Sequence, residues 1–193
     1  ESYAGRQPMS SYISENVIIY NGEIYNLEYL KSYLEKKYSF KPKSNCDTEI
    51  LIEGFALEGK NFFERIDGIY AFIIYDKSKE LFYVARDFLG IKPLVFSIVE
   101  KGIIISSDVN TLFEILDHPI PSKKAIVDLL SLTFIPEPNT LFENINYFEP
   151  GYLFTISKNG SFLSKEKIKT SIKSKKFSKQ EKLKKSIINL QEI

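Results

Sequence analysis

Four residues in two short stretches could together do chemistry on an amino acid. The stretch YNGEIYN contains Asn21, Gly22 and Glu23, and the stretch CDTE contains Asp47. The side-chain amide of Asn21 and an unobstructed Gly22 N–H form the kind of donor pair that stabilises an oxyanion. Glu23 and Asp47 are acceptors suited to an ammonium group. The set predicts a pocket for an amino acid with a reacting side-chain carbonyl, and the same letters also fit a strand–turn–helix junction and a helix cap.

The single cysteine and the single histidine offer less chemistry. Cys46 precedes a predicted helix, whose positive end would favour a thiolate, but the adjacent Asp47 opposes that charge and no histidine base is nearby. A structural role for Cys46 is therefore favoured. His118 has no Cys or His partner at ligand spacing, so an ordinary loop histidine and no metal site are predicted.

Hydrophobic patterns predict the elements that hold these residues. In chain order they are a strand at Val17–Tyr20, helices at Leu27–Lys37 and Thr48–Glu58, a hairpin of Ile69–Tyr75 and Leu81–Arg86, a hairpin of Val95–Ile98 and Ile103–Ser106, a short helix ending at Leu116, a helix at Lys123–Leu132 and a last strand at Gly151–Ile156. Asn21 and Gly22 would form the turn after the first strand. Asn26, Asp47 and Asp108 would cap the helices that follow them. Strands that do not alternate regularly with helices favour an α+β architecture.

Length and composition fit one ordinary domain with a basic tail. The chain has 193 residues, 44% of them apolar, and a formal net charge of +1, so no nucleic-acid or membrane partner is predicted. Ten lysines lie between Lys165 and Lys185, and residues 174–190 fit either a helix or a linker. A single cysteine excludes an internal disulfide and is typical of a reducing, cytoplasmic setting.

Six stretches, in order, resemble one known family. They are NGEIYN, DTE, DGIYAFIIYD, ARDFLGIKPL, ISSDVNTL and FIPEPNTLFENINYFEPGYLF. Together they resemble the class II glutamine amidotransferase domain of glutamine-hydrolysing asparagine synthetases, over nearly everything from Gly5 to about Phe154. The Glu-Ile-Tyr that follows Asn-Gly favours this branch over the sugar-phosphate and phosphoribosyl amidotransferases.

The resemblance implies both a fold and a reaction. The fold is α+β, an N-terminal-nucleophile hydrolase-like αββα sandwich with two antiparallel sheets. The reaction is hydrolysis of glutamine to glutamate and ammonia, with no cofactor in this domain. The ammonia then passes to a separate synthetase domain, which uses ATP and Mg to activate aspartate.

The resemblance also implies roles for residues of this chain. Asn21 and Gly22 match oxyanion-hole positions of the family. Glu23 and Asp47 match positions that hold the α-amino group of glutamine. The stretch RDFLGIKPL matches a family segment whose role is chiefly structural.

Three features depart from the family pattern. The family nucleophile is a cysteine at the mature N-terminus whose own α-amine acts as the base, whereas this chain begins with Glu1 and its only cysteine, Cys46, lies inside the chain. The arginine that holds the glutamine carboxylate and the pyrophosphate loop of the synthetase half are not found in the sequence. The chain is therefore expected to be an internal fragment that lacks the first strand and is inactive alone.

This interpretation sets the expected domain limits. Residues 1–157 would form an N-terminally incomplete amidotransferase domain, and residues 158–193 a lysine-rich linker or the start of the synthetase region. A missing strand would expose a sheet edge, which favours lower stability or association into a homodimer. Two other functions fit the same residues: a non-catalytic binding or regulatory module with this fold, and an amidotransferase that acts on another acceptor such as a surface sugar.

Overall fold

The computed structural model describes residues 5–117 and 119–169. His118 and the helix or linker expected at residues 174–190 lie outside this part of the chain. The strands are β1 (Met9–Ser10), β2 (Val17–Ile24), β3 (Gly68–Asp76), β4 (Leu81–Arg86), β5 (Val95–Val99), β6 (Gly102–Ser106), β7 (Asn146–Tyr147), β8 (Tyr152–Ser157) and β9 (Phe162–Lys167). The helices are α1 (Leu27–Tyr38), α2 (Asp47–Glu58), α3 (Val109–Ile115), α4 (Lys123–Leu132) and a 3₁₀-helix (Gly59–Arg65).

The strands form two antiparallel sheets. The larger sheet has six strands in the order β1-β2-β3-β4-β8-β9, and the smaller has three in the order β6-β5-β7. Every strand pair that joins neighbours is antiparallel. The predicted α+β architecture with two antiparallel sheets is therefore confirmed.

One face of the larger sheet packs against the first two helices. Because side chains alternate along a strand, Tyr20 of β2 and Phe72 of β3 point to the same side and are buried. Leu30 and Leu34, which lie one turn apart on α1, and Ile50 of α2 complete this core. The apolar spacing that predicts these elements in the sequence is thus the spacing that fills the core.

The opposite face of the larger sheet packs against the smaller sheet. Val84 of β4 and Ile156 of β8 meet Leu94 and Phe148 in a second buried cluster. The rings of Phe96 and Phe148 lie 4.6 Å apart between centroids. A third cluster, around Val95, Leu112 and Ile145, places α3 against the far side of the smaller sheet. The layers are therefore helix, sheet, sheet and helix.

Most predicted elements begin and end within one residue of the observed ones. The prediction that Gly151–Ile156 is the last strand is wrong, because β9 pairs with β8 at the edge of the larger sheet. The β9 sequence FLSKEK is largely exposed and has no apolar alternation, as is common for edge strands. Strand β9 and the buried Ile168 lie beyond residue 157. The first part of the linker that was expected at residues 158–193 therefore belongs to the larger sheet.

Two of the three predicted helix caps differ from expectation. Asn26 occupies the N-cap position of α1, but its side chain binds Arg65 O (2.8 Å) and Asp67 N (3.0 Å) instead of a helix N–H. Cys46 holds the N-cap position of α2, and Asp47 is the first helical residue. Only Asp108 caps as predicted, accepting a hydrogen bond of 2.9 Å from Thr111 N.

Arg86 joins the two sheets through its buried guanidinium group. The side chain is 1% exposed and donates to Gly90 O (2.8 Å), Lys92 O (2.9 Å) and Phe148 O (2.7 Å). It also pairs with Glu137, with Nη1 2.9 Å from Oε2. Since Arg86 ends β4 and Phe148 follows β7, this one side chain links both sheets and the loop between them.

Asp87 holds the same loop from the other side. One carboxylate oxygen accepts from Leu89 N (3.0 Å) and Ile91 N (3.1 Å), and the other accepts from Lys92 N (3.1 Å) and Tyr70 N (3.4 Å). The side chain is almost completely buried, so these N–H groups replace its hydration. The stretch RDFLGIKPL therefore has the structural role expected for it.

Replacing Arg86 with methionine should lower the free energy of unfolding by about 3–5 kcal/mol, because several buried carbonyls lose their donor. Arg86→Lys should recover little of this loss, since an ammonium group lacks the planar fork. Urea unfolding at neutral pH measures both effects. Lys158→Met is a control at an exposed ion pair, and an Arg86→Met variant as stable as this control would contradict the prediction.

Glu58, at the C-terminal end of α2, forms a second polar cluster. Its side chain is 4% exposed and accepts hydrogen bonds from Lys37 Nζ (2.5 Å), Arg65 Nε (3.0 Å), Tyr38 OH (2.9 Å) and Tyr33 OH. Burial alone would raise the pKa of Glu58, but these donors outweigh it and lower the pKa from its usual 4.5 to about 2. The cluster connects α1, α2 and the 3₁₀-helix.

Replacing Glu58 with glutamine should destabilise the protein by about 1–3 kcal/mol at neutral pH. Since the pKa is lower in the folded state, the charged carboxylate contributes its full stability above the unfolded pKa and loses it as the pH falls through the folded pKa. In urea unfolding, the wild-type advantage should therefore shrink steadily from about pH 5 to about pH 3. Glu28→Gln, on a side chain that is 86% exposed, is the control. An advantage that does not change with pH would refute the proposed role of the charge.

Candidate functional site

Asn21, Gly22 and Glu23 lie within a strand and not in a turn. Strand β2 continues through all three to Ile24, and they pair in register with Ala71, Tyr70 and Ile69 of β3. The prediction of an Asn-Gly turn is therefore wrong. The turn comes at Tyr25 and Asn26, because pairing with β3 keeps the preceding residues extended.

The Gly22 N–H points away from β3. Tyr25 N donates to Asp67 O at 2.8 Å, which identifies the odd-numbered residues of β2 as those that exchange hydrogen bonds with β3. The even-numbered Tyr20 instead bonds outward, to the side chain of Gln7. By the same alternation, Gly22 directs its N–H to the open edge of β2, where no described residue accepts it.

Gly22 is glycine for a reason that the sequence does not reveal. A Cβ at this position would lie 2.3 Å from Ile69 O and 2.8 Å from Tyr70 Cα. These are backbone atoms of the neighbouring strand, and they cannot move without breaking the sheet. Substrate access was the expected reason for a small residue, whereas the structure shows that close approach of β3 already requires one.

The side chains of Asn21 and Glu23 share one face of the larger sheet. They are exposed and lie on the side of β2 opposite Tyr20, whose ring is buried against the helices. Their pairing partners Ala71 and Ile69 alternate with Tyr70, and Ala71 belongs to the cluster between the sheets. Asn21 and Glu23 therefore extend from the inter-sheet face at an edge where they meet solvent.

Asp47 lies beside β2 at the beginning of α2. Its Oδ2 accepts from Tyr20 OH at 2.9 Å, and its Oδ1 accepts from Thr48 N at 2.8 Å. The position at the first turn places the carboxylate near the positive end of the helix dipole. The Tyr20 contact brings Asp47 to the strand that carries the other three predicted residues.

Two nearby carboxylates raise the pKa of the Tyr20 phenol. Burial raises the pKa of Tyr20 most, the charge of Asp47 and its hydrogen bond raise it further, and the charge of Glu23 adds a smaller increment in the same direction. Glu23 and Asp47 therefore both lie within electrostatic range of one hydroxyl group. An ammonium group bound near this edge would find two negative charges.

Glu49 shapes the loop that leads to Asp47. It accepts from Lys43 N (2.6 Å), Ser44 N (2.8 Å) and Tyr12 OH (2.9 Å). Burial alone would raise the pKa of Glu49, but hydrogen bonds from Ser44, Lys43 and Tyr12 lower it. The charged carboxylate thus holds the loop in place ahead of the helix.

Sequence reasoning missed three residues that support the site. Strand alternation could have shown that Tyr20 points toward the helices, and Glu49 lies in the quoted stretch CDTE. No local signal identifies Gln7, whose amide donates to Tyr20 O (2.8 Å) and accepts from Tyr20 N (2.6 Å) across 13 positions of sequence. Gln7 replaces a strand residue as the edge partner of Tyr20.

Cys46 is half-buried, with its sulfur 3.9 Å from Asp47 Oδ1. The partial burial fits the structural role favoured from the sequence, and that role stays a prediction. Within residues 5–117 and 119–169, no three His, Cys, Asp or Glu side chains come together as a metal-binding group.

Comparison with known proteins identifies the family. The chain matches the glutamine amidotransferase domain over residues 1–166. It belongs to that family. The resemblance to class II amidotransferases is therefore confirmed, and with it the glutamine amidotransferase character of the domain.

Two relatives of known name are much longer than this amidotransferase domain. Glutamine-hydrolysing asparagine synthetase 1 of Bacillus subtilis is 34% identical over 170 residues, which cover 88% of this chain and 27% of that protein. Asparagine synthetase 3 of the same organism is 34% identical over 166 residues, 81% of this chain and 26% of that protein. The amidotransferase domain thus spans about a quarter of the length of these relatives.

A solved structure supports the fold. The glutamine phosphoribosylpyrophosphate amidotransferase of Bacillus subtilis, determined with ADP and GMP, superimposes with a TM-score of 0.57 at 22% identity over 89% of this chain and 33% of that chain. This likeness confirms the predicted N-terminal-nucleophile hydrolase-like sandwich. No helix in the described part of the amidotransferase domain is both long and apolar enough to cross a membrane.

Replacing Gly22 with alanine should destabilise the domain by about 1–3 kcal/mol, because the added methyl group overlaps the β3 backbone. Gly5→Ala is the matched control, since a Cβ at Gly5 has no neighbour within 4 Å. Urea unfolding of the two variants measures the difference. Equal midpoints for Gly22→Ala and wild type would show that β3 does not limit this position.

Proposed function

We propose that this chain is the glutamine-hydrolysing part of a two-part enzyme that makes asparagine. The observation that carries the proposal is the outward N–H of Gly22, next to Asn21 and at the same strand edge as two carboxylates. An oxyanion needs convergent donors, and an α-amino group needs acceptors. The donors and one acceptor lie on β2, and the second acceptor, Asp47, contacts β2 through Tyr20.

The bound glutamine would span this edge. Glu23 and Asp47 would hold its α-ammonium group, and the Asn21 amide and Gly22 N–H would stabilise the oxyanion formed when its side-chain carbonyl is attacked. Water adds overall, the C–N bond breaks, and glutamate and ammonia leave. Since Asp47 already accepts from Tyr20 OH, its orientation is set before substrate binds.

Cys46 is not suited to be the attacking thiol. Family members use an N-terminal cysteine with a free amine, and the one cysteine here, Cys46, faces the carboxylate of Asp47. Cys46 is an internal residue, so it has no free amine that could act as the base. We therefore expect this chain alone to bind glutamine without releasing ammonia.

The acceptor half of the reaction rests on the relatives. The matched Bacillus subtilis proteins are glutamine-hydrolysing asparagine synthetases, so we propose that a synthetase region uses ATP and Mg to activate aspartate for the released ammonia. The proposed setting is the cytoplasm, and the proposed assembly is a homodimer.

Glutamine binding tests the site through its α-amino group. In NMR titrations of the ¹⁵N-labelled chain, glutamine should shift Gly22 N–H and the Asn21 side-chain amide. Glu23→Gln and Asp47→Asn should each weaken glutamine binding about tenfold, or about 1.4 kcal/mol, by removing a charge-assisted hydrogen bond. Neither variant should change the binding of glutaramate, which is glutamine without the α-amino group.

The control is Glu28→Gln, which removes an equally negative but exposed charge on α1 and should leave both affinities unchanged. Equal losses for glutamine and glutaramate would contradict the assigned role of the carboxylates. Ammonia release from glutamine by the 193-residue chain would contradict the assignment of the nucleophile.

A further inference from the structure

Helix α4 carries an apolar surface that the described part of the chain leaves exposed. Of its ten residues only Ala125 is buried, whereas Val127 is 60% exposed and Leu130 is 80% exposed. A helix of this length is marginal without packing, and large exposed apolar patches mark interaction sites. We call this patch the α4 surface, and it consists of Ile126, Val127, Leu129, Leu130, Leu132 and Phe134.

The α4 surface continues onto the segment before α4 and onto α3. Glu143 N donates to Ile120 O at 2.9 Å, so the chain before α4 lies beside residues 141–143. The rings of Phe113 and Phe142 lie 5.2 Å apart between centroids, which joins α3 to the same region. Ile120 and Phe113 are themselves exposed, and they therefore widen the apolar area.

The charge around this surface is negative. Residues 109–143 contain five acidic side chains and two lysines, which gives a net charge of −3. Two of these acids, Glu114 on α3 and Glu143, are exposed beside the apolar residues. Residues 170–193 contain seven lysines and two glutamates, a net side-chain charge of +5. The two segments are therefore electrostatically complementary.

The described chain ends near the loop that follows α4. Ile168 N donates to Gly151 O (2.9 Å), and Gly151 N donates to Arg86 O (3.3 Å). The guanidinium group of Arg86 pairs with Glu137, which belongs to that loop. Eight further residues, 170–177, span about 25 Å when extended. The lysine-rich sequence is therefore within reach of α4 in the same chain.

The sequence beyond the described part also matches the α4 surface in pattern. Leu183, Ile187 and Leu190 recur at the spacing of one helix face. At that spacing Lys182 and Lys184 would lie to either side of the apolar face. An apolar stripe between lysines is the counterpart of an apolar patch with acidic neighbours.

We propose that residues 180–193 form an amphipathic helix that binds the α4 surface of the same chain. Its three apolar residues pack against Val127 and Leu130, which lie three residues apart on one face of α4, and its lysines face Glu114 and Glu143. An amphipathic helix that places its apolar face on an apolar surface is a common mode of recognition. The proposal rests on these exposures and charges and does not depend on the proposed function.

A spin label on the lysine-rich segment tests this contact in the whole 193-residue chain. The label is attached at Ser186→Cys in a Cys46→Ser background, because Cys46 is the only native cysteine. In NMR spectra of the methyl-labelled chain, the label should broaden the methyl signals of Ile126 and Leu129 until they are lost. Signals that keep their full intensity would overturn the proposal.

Matched variants test whether the apolar surface is the binding partner. The double variant Val127→Ser, Leu130→Ser should restore the Ile126 signal, since it removes the apolar contact. The control, Leu89→Ser with Ile91→Ser, removes two exposed apolar side chains from the loop between β4 and β5 and should leave the signal broadened. Equal broadening in both double variants would contradict the proposed contact.

The charges and the origin of the bound segment are tested separately. Lys182→Glu with Lys184→Glu should also restore the signals, because like charges would then face each other, and this variant leaves every described residue unchanged. In a mixed sample, chains with the spin label but no methyl label are added to methyl-labelled chains without the spin label. Broadening in that sample would show that a second copy occupies the α4 surface and would overturn the proposal.

Discussion

The position of the two sheets relative to each other depends on the buried guanidinium group of Arg86. It leaves the larger sheet at the end of β4 and binds carbonyls of the loop that leads to β5, together with Phe148 O beyond β7. Those loop carbonyls lack strand partners, and a buried cation lacks water, so each satisfies the other. Asp87 fixes the N–H groups of the same loop. The two residues therefore hold the sheets together through this loop, and Asn21 lies on the face of the larger sheet that the smaller sheet covers in part.

The sequence predicts well what local patterns determine. Helical spacing of leucines and runs of β-branched residues locate the helices and hairpins, because those patterns also build the cores. The turn at Asn21 and Gly22 was predicted from a local preference, and pairing with β3 overrides it. Strand β9 has a polar sequence and depends on its neighbour β8, so no pattern within it could reveal it.

For the candidate site, too, the sequence predicts the residues but not their arrangement. The family resemblance identifies Asn21, Gly22, Glu23 and Asp47, but not how they are arranged. The direction of the Gly22 N–H follows from strand alternation, which needs the register with β3. The link between β2 and α2 passes through Tyr20, a residue that appears in the sequence only as one of several aromatic residues. Sequence therefore supplies the chemical groups, and long-range pairing decides which way each one faces.

In the proposed site, hydrogen bonding within the sheet and binding of a ligand would use the same backbone edge, next to Gln7. Because the side chain of Gln7 and not a strand residue bonds to Tyr20, the ladder between β1 and β2 ends at Met9 and Ile18 within the described residues. A regular strand in its place would add hydrogen bonds and protect the edge from association. It would also cover the N–H of Gly22 and leave no donor for a ligand. An incomplete ladder is thus the condition under which a sheet edge can serve as a binding surface.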